Sequence, residues 1–269
     1  LGRATMQQLP EIDVLHIKMG KRLWLLSDLH IDASAFKREA FEKAKKMVGK
    51  DPVILLGDVL DYGFFNNVKS QIERQMVADG EYSREEMKSR VGIEAMLKVD
   101  DILDTLNLKA VCEGNHDIRA AKLTGENFLK YACYKRGIAF CPGELLVIVE
   151  CGKKENGDPR YFRFLFTHGS RGGRKQASPI NELEDIWNGW AGLDLIAIGH
   201  HHKDGHTKIA RAYIEKNIPK MQTTHLVAVP SFLGLEEYAQ KRGYRPQPSE
   251  IVRIDFTPST GRIDICFEE

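Results

Sequence analysis

The sequence predicts an α/β protein with parallel strands and a ligand crevice along their carboxyl edge. Two observations predict it. Five short apolar runs, at 23–26, 53–56, 108–112, 162–166 and 193–198, have the length of buried strands, and stretches of helical periodicity separate several of them. Each run is followed at once by a small cluster of Asp, His or Asn: Asp28-x-His30, Gly57-Asp58-x-x-Asp61, Gly114-Asn115-His116-Asp117, Thr167-His168-Gly169 and Gly199-His200-x-His202. Side chains placed there converge on the crevice where open α/β sheets bind ligands.

The elements follow in order. Residues 12–18 and 23–26, with Gly20 at a turn, read as a strand pair feeding the first cluster. A helix is expected from Ser34 as N-cap, with Phe36, Ala40, Ala44 and Met47 on one face and Gly49 past its end. Beyond the second cluster Phe64, Val68, Ile72 and Met76 form an apolar stripe that Asp79-Gly80 interrupts. Ser83-x-x-Glu86 is a capping box that restarts it with Met87, Val91, Ala95, Val99, Ile102 and Leu106. This helical segment, about 62–106, is either a cap beside the crevice or a long crossover between parallel strands, the crossover being the plainer reading. Ser178-Pro179 opens another helix carrying Ile180, Leu183, Ile186, Trp187 and Trp190, since Pro suits a first helical position. Residues 251–256 and 262–267, around Pro258-Ser259-Thr260-Gly261, read as a hairpin. With no repeat or linker, residues 1–269 are expected to form a single domain.

Composition narrows the function classes. A 42% hydrophobic content supports a sizeable core, and 39 Lys plus Arg against 38 Asp plus Glu give no overall pull toward nucleic acid or acidic membranes. No run is long enough to span a bilayer and the polar start lacks a secretory core, so a cytoplasmic protein without membrane contact is expected. Five cysteines without C-x-x-C spacing argue for free thiols over disulfides or a zinc knuckle. Lys208, Arg211, Lys216 and Lys220 are a candidate basic stripe, though a solvated charge run is commoner.

The five clusters together make a ligand set for two metal ions. In an extended chain residues i and i+2 share a side, so Asp28 with His30, and His200 with His202, can each address one ion. Asp58 has two oxygens and can bridge cations about 3.5–4 Å apart, while Asn115 offers an amide oxygen. Mixed O and N donors suit divalent Mn, Fe, Zn, Co or Ni and do not pick among them; Mn is the expected ion. A water between two such ions ionises near neutral pH and attacks phosphorus, and the leaving alkoxide then needs a proton. His116 can supply it, with Asp61 holding its ring. Five of the nine histidines fall in the pattern; His201 points away from the shared side and, with His16, His206 and His225, is assigned to surface or packing. Singly, each cluster is an ordinary strand-end turn; five in order are not five accidents. The loop Gly169-Ser170-Arg171-Gly172-Gly173-Arg174-Lys175 is either a phosphate-binding turn, using its backbone N–H groups with Arg171 and Arg174, or a solvated basic turn.

These motifs closely resemble the calcineurin-like metallophosphoesterases, whose signature is D-x-H, G-D-x-x-D, G-N-H-[DE], H and G-H-x-H; the match spans 28–202. The resemblance implies a four-layer α/β/β/α sandwich and a dimetal centre. It implies Asp28, His30 and His202 on one metal, Asn115, His168 and His200 on the other, and Asp58 bridging. His116 is implied as the acid, with Asp61 beside it, and residues 227–231 look like the family's late strand. Asp117 after Gly-Asn-His resembles the diesterase and nuclease branches, and 168–184 is similar to bacteriophage-encoded members. The expected substrate is a phosphodiester, a nucleotide or small diester first and DNA or RNA second; a non-catalytic scaffold is disfavoured because no ligand is missing.

Overall fold

The computed structural model describes residues 12–61, 76–81, 83–173, 175–234 and 247–269. Its strands form two six-stranded sheets. The first runs β1 (Asp13–Lys18), β6 (Leu145–Lys153), β7 (Pro159–Thr167), β8 (Leu195–Ile198), β10 (Ile218–Ala228), β9 (Gly205–Glu215). The second runs β12 (Arg262–Glu268), β11 (Ile251–Thr257), β2 (Arg22–Leu26), β3 (Val53–Leu55), β4 (Leu108–Cys112), β5 (Ala139–Cys141). Helices α1 (Arg38–Val48), α2 (Arg84–Thr105), α3 (Asn115–Thr124), α4 (Phe128–Lys135) and α5 (Ser178–Gly189) complete the described elements.

Strand periodicity explains the layering. Successive side chains alternate faces, so Leu23 and Leu25 of β2 meet Phe164, Phe166 and Val227 of the first sheet, while Trp24 and Leu26 turn outward to α1, α2 and α4. Both faces are therefore buried, which is why these strands read as unbroken apolar runs. Phe164 stacks on Phe256 across the two sheets at 5.8 Å. The outer face of the first sheet, with Leu165, Ile196, Ile198 and Leu226, packs against Leu183, Ile180 and Trp187 of α5. Helices, sheet, sheet and helix make the four-layer α/β/β/α sandwich.

Several local expectations change. β1 does not pair with β2: it lies in the other sheet, parallel to β6, and Met19 N–H bonds to the Glu150 carbonyl as the chain crosses between sheets. The first helix begins at Arg38, not after Ser34, because Phe36 is engaged in a bridge to Leu233. The Ser83–Glu86 capping box forms as expected and opens α2, which lies in the crossover between parallel β3 and β4 and buries Val99, Ile102 and Leu103. The Phe64–Val68–Ile72 part of the preceding stripe lies outside the described residues. The closing hairpin forms as β11 and β12. Among the described residues no helix is long and apolar enough to cross a membrane.

Candidate metal centre

Five turns build the site. In the second sheet, the turn after β2 carries Asp28 and His30, the turn after β3 carries Asp58 and Asp61, and the start of α3 after β4 carries Asn115 and His116. The first sheet contributes His168 after β7, then His200 and His202 after β8. The first two turns run side by side: Asp28 N–H donates to the Gly57 carbonyl and His30 N–H to that of Asp58, both at 3.0 Å. A Cβ on Gly57 would lie 2.7 Å from the Gly114 nitrogen and 2.8 Å from His168 Nδ1, so the turns approach as closely as glycine permits.

Backbone conformation marks the same residues. Asp28, His30, Asp58, His200 and His202 all have positive φ, between 47° and 62°; the other described non-glycine residues that do, Lys216 and Asn217, sit in the β9–β10 turn. Each such residue costs about 1–3 kcal/mol, a strain that persists only where surrounding contacts over-determine it. It also explains a departure from expectation. His200 and His202 are not extended, so they do not share a side: His200 joins Asp58 and His168, and His202 joins Asp28 and His30.

Each anionic ligand has one oxygen anchored and one directed into the crevice. Asp28 Oδ2 accepts from the Ser27 hydroxyl at 2.5 Å and from His200 N–H at 2.9 Å, whereas the buried Oδ1 accepts no hydrogen bond and lies 3.1 Å from His202 Nε2. Asp58 Oδ1 accepts from His116 N–H at 2.8 Å, and its Oδ2 lies 3.2 Å from His168 Nε2 and 3.8 Å from His30 Nε2. The imidazoles are oriented likewise. His168 Nδ1 donates to the Leu56 carbonyl at 2.7 Å and His30 Nδ1 to Asp61 Oδ1 at 3.1 Å, which leaves both Nε2 lone pairs facing inward. Asn115 Oδ1 and His200 Nδ1 meet His168 Nε2 at 3.1 and 3.3 Å. An orphaned carboxylate oxygen ringed by imidazole lone pairs fits divalent cations in two adjacent positions.

The electrostatics of the crevice agree. Burial would push His30 and His168 down, yet Asp28 and Asp61 carry His30 up to about 10, and Asp58 with Asp28 carries His168 up to about 9. Cations bound at these nitrogens would compete with protons for the same lone pairs. Burial works against ionisation of Asp61, but hydrogen bonds from His116 and His30 hold it well below the usual carboxylate range. His116, lowered by burial and raised more by Asp61 and Asp58, ends above its ordinary value.

Asp61 and His116 meet as expected, with Nδ1 at 2.9 Å from Oδ1 and 2.7 Å from the Asp61 carbonyl. Beside them is a residue that sequence reasoning missed. Arg119, one turn along α3, places Nη1 3.4 Å from His116 Nε2; its i+3 spacing on a helix opening at Asn115 was the available signal.

The glycine loop differs from a phosphate cradle. The N–H groups of Ser170 and Arg171 bond to the buried Glu182 carboxylate, and the Arg171 guanidinium pairs with Asp185. Arg174 lies outside the described residues. The basic run is no single stripe: Lys208 stands opposite His225 on one face of the hairpin, whereas Arg211 stacks 4.1 Å over Trp187 on the other. His16 is exposed, His206 stacks on His225, and His201 is buried against Glu182.

Comparison with known proteins comes to the same place. The profile of the calcineurin-like phosphoesterases matches residues 21–217. Vps29 from Chaetomium thermophilum is a similar solved structure at 12% identity, covering 93% of this chain and 95% of that one with a TM-score of 0.39. Comparison with curated proteins finds no match. With most of its length matched and candidate metal-ligating groups at the expected turns, the chain belongs to the calcineurin-like phosphoesterase family, whose members hydrolyse phosphoesters with metal ions.

Proposed function

We propose that the protein hydrolyses phosphodiesters at a two-metal centre, held by Asp28, His30 and His202 on one side, Asn115, His168 and His200 on the other, and Asp58 between. Asp58 carries the reading: its Oδ2 faces His168 at 3.2 Å and His30 at 3.8 Å at once, while Oδ1 is tied to the His116 amide. Divalent ions bound there, Mn favoured, supply the charge that makes water nucleophilic near neutral pH and stabilises phosphate oxygens. His116 protonates the departing oxygen through Nε2. Its raised pKa favours the doubly protonated ring, and Asp61 accepts from Nδ1 and fixes its orientation. The Arg119 guanidinium, which donates to Nε2 only while that nitrogen carries no proton, turns to an anionic leaving group when His116 is the acid. This supports diesters whose departing side carries charge, nucleotides first. Basic residues on opposite faces of the hairpin give less support to long nucleic acid as substrate. The free thiols, four of them buried, suit a reducing, cytoplasmic setting.

The test is a hydrolysis panel with Mn²⁺. We expect kcat/KM to be higher for bis-nitrophenyl phosphate than for nitrophenyl phosphate, and the reverse order would overturn the diester preference. His116→Ala should keep its metals and lose about 10²- to 10⁴-fold in kcat on nucleoside leaving groups, less on nitrophenol, which departs without a proton. Arg119→Ala should raise KM for charged leaving groups and leave neutral ones unchanged. Single- and double-stranded DNA in the panel decides the nuclease alternative.

A further inference from the structure

The His-bearing turns of the first sheet are stitched together by a carboxylate that belongs to neither. Glu182, on α5, is only 4% exposed. Its Oε1 accepts from Ser170 N–H at 2.8 Å and from the Ser170 hydroxyl at 3.2 Å; Oε2 accepts from Arg171 N–H at 3.2 Å and from His201 Nε2 at 2.6 Å. Ser170 follows His168 by two residues, and His201 lies between His200 and His202. One carboxylate therefore grips the turn after β7 and the turn after β8. A buried charge is tolerated only when its lone pairs are answered, and these are.

Two further observations make this grip matter. His201 stands between two left-handed residues, His200 at φ 62° and His202 at φ 54°, a conformation that relaxes unless something holds it. Behind the β7 turn, Ser170, Arg171, Glu182, Glu144, Asp185 and Ile186 border a cavity of about 190 Å³, so close packing does not fix the loop there. Lys203 ties the far end of the same loop: its buried Nζ donates to the carbonyls of Gly173 at 2.5 Å and Lys175 at 2.7 Å. Hydrogen bonds from two buried charges, rather than apolar contact, set where this segment lies.

We propose that Glu182 is a positioning residue for the metal centre, acting through His201 and the amides of Ser170 and Arg171 to hold His168 in register with His200 and His202. The proposal rests on the two-metal reading above. Because His200 and His168 group with Asp58, and His202 groups with Asp28 and His30, loosening the latch changes the placement of one ion relative to the other.

The experiment is Mn²⁺ titration of the full chain, followed by EPR, on wild type, Glu182→Gln, His201→Phe and the double variant, with kcat and KM measured at saturating Mn²⁺. Wild type should bind two Mn²⁺ with a spin-coupled signal. Glu182→Gln, nearly isosteric, should weaken binding of the second Mn²⁺ by about 10- to 100-fold, the range for groups that orient ligands from behind. It should also alter the coupled signal and lower kcat with KM little changed. His201→Phe keeps the ring volume and should give a similar loss, and the double variant should lose no more than the worse single one. Second-site affinity in both single variants within about twofold of wild type, with the coupled signal intact, would overturn the latch. Wild type binding fewer than two Mn²⁺ would overturn the two-metal reading beneath it instead.

Discussion

Asp117 and Glu182 hold opposite halves of the candidate metal centre by similar means, with their pKa values shifted in opposite directions. Asp117, at the start of α3, accepts the amides of Val59 and Leu60 at 3.2 and 3.3 Å and that of Gly114 at 3.0 Å, tying the turns after β3 and β4. Its partners there are neutral amides. Burial, with the charge of Asp58 nearby, pushes its pKa up to about 7. Glu182 also accepts two amides but adds the ring of His201; burial opposes its ionisation, yet the His201 bond and those amides hold it at about 2. Burial thus opposes ionisation in both halves, and only in the first-sheet half does a facing ring outweigh it.

The substitution that breaks both halves together is Asp58→Asn, which removes the charge they share. Elemental analysis after growth with Mn²⁺ should fall from about two ions per chain to one or none; two retained ions would show that Asp58 is not the bridge. Next in size is Asp117→Ala, which strands three buried amides at about 1–3 kcal/mol each and should cost at least about 3 kcal/mol in denaturant unfolding. Asp117→Asn keeps one acceptor oxygen but sets its NH2 against the amide on the other side, and should cost about 1–3 kcal/mol. If the two cost the same, charge matters at Asp117 after all and the contrast collapses.

The pH dependence of the metal-free protein sharpens the contrast at smaller amplitude. Between the ordinary carboxyl value of 3.8 and about 7, folded Asp117 binds more protons than the unfolded chain. Its stabilisation is thus present below that window and lost as pH rises through it. Glu182 runs the other way: its contribution is present above 4.5 and lost as pH falls toward about 2. Melting temperatures in EDTA should show the gap between wild type and Asp117→Asn narrowing from about pH 4 to about pH 8. The gap for Glu182→Gln should narrow only in acid. An Asp117 gap that stays constant across that range would contradict the assignment.

The ligand turns were legible because Asp, His and Asn at strand ends are chemically conspicuous and the strands before them are apolar on both faces. Sheet membership was less so. Nothing in residues 12–18 distinguishes a hairpin partner of β2 from an edge strand parallel to β6, since both present the same alternation. The division of His200 from His202 came from the family resemblance, not from spacing, because i, i+2 geometry assumes an extended chain and these residues are left-handed. Glu182 was invisible for another reason. Among Asn181, Glu184 and Asp185 on an amphipathic helix it looks like one more solvated acid, and only the fold shows that it faces inward.

The five left-handed ligand residues bear on how fast the centre fills. Their turns are braced by the chain's own hydrogen bonds, with donor atoms 3.1–3.8 Å apart. We expect loading to be limited by release of imidazole protons and stripping of water from the incoming ion rather than by chain rearrangement. Uptake should be a single phase proportional to ion concentration. It should accelerate with rising pH and run slower for Ni²⁺, which exchanges its water sluggishly, than for Mn²⁺.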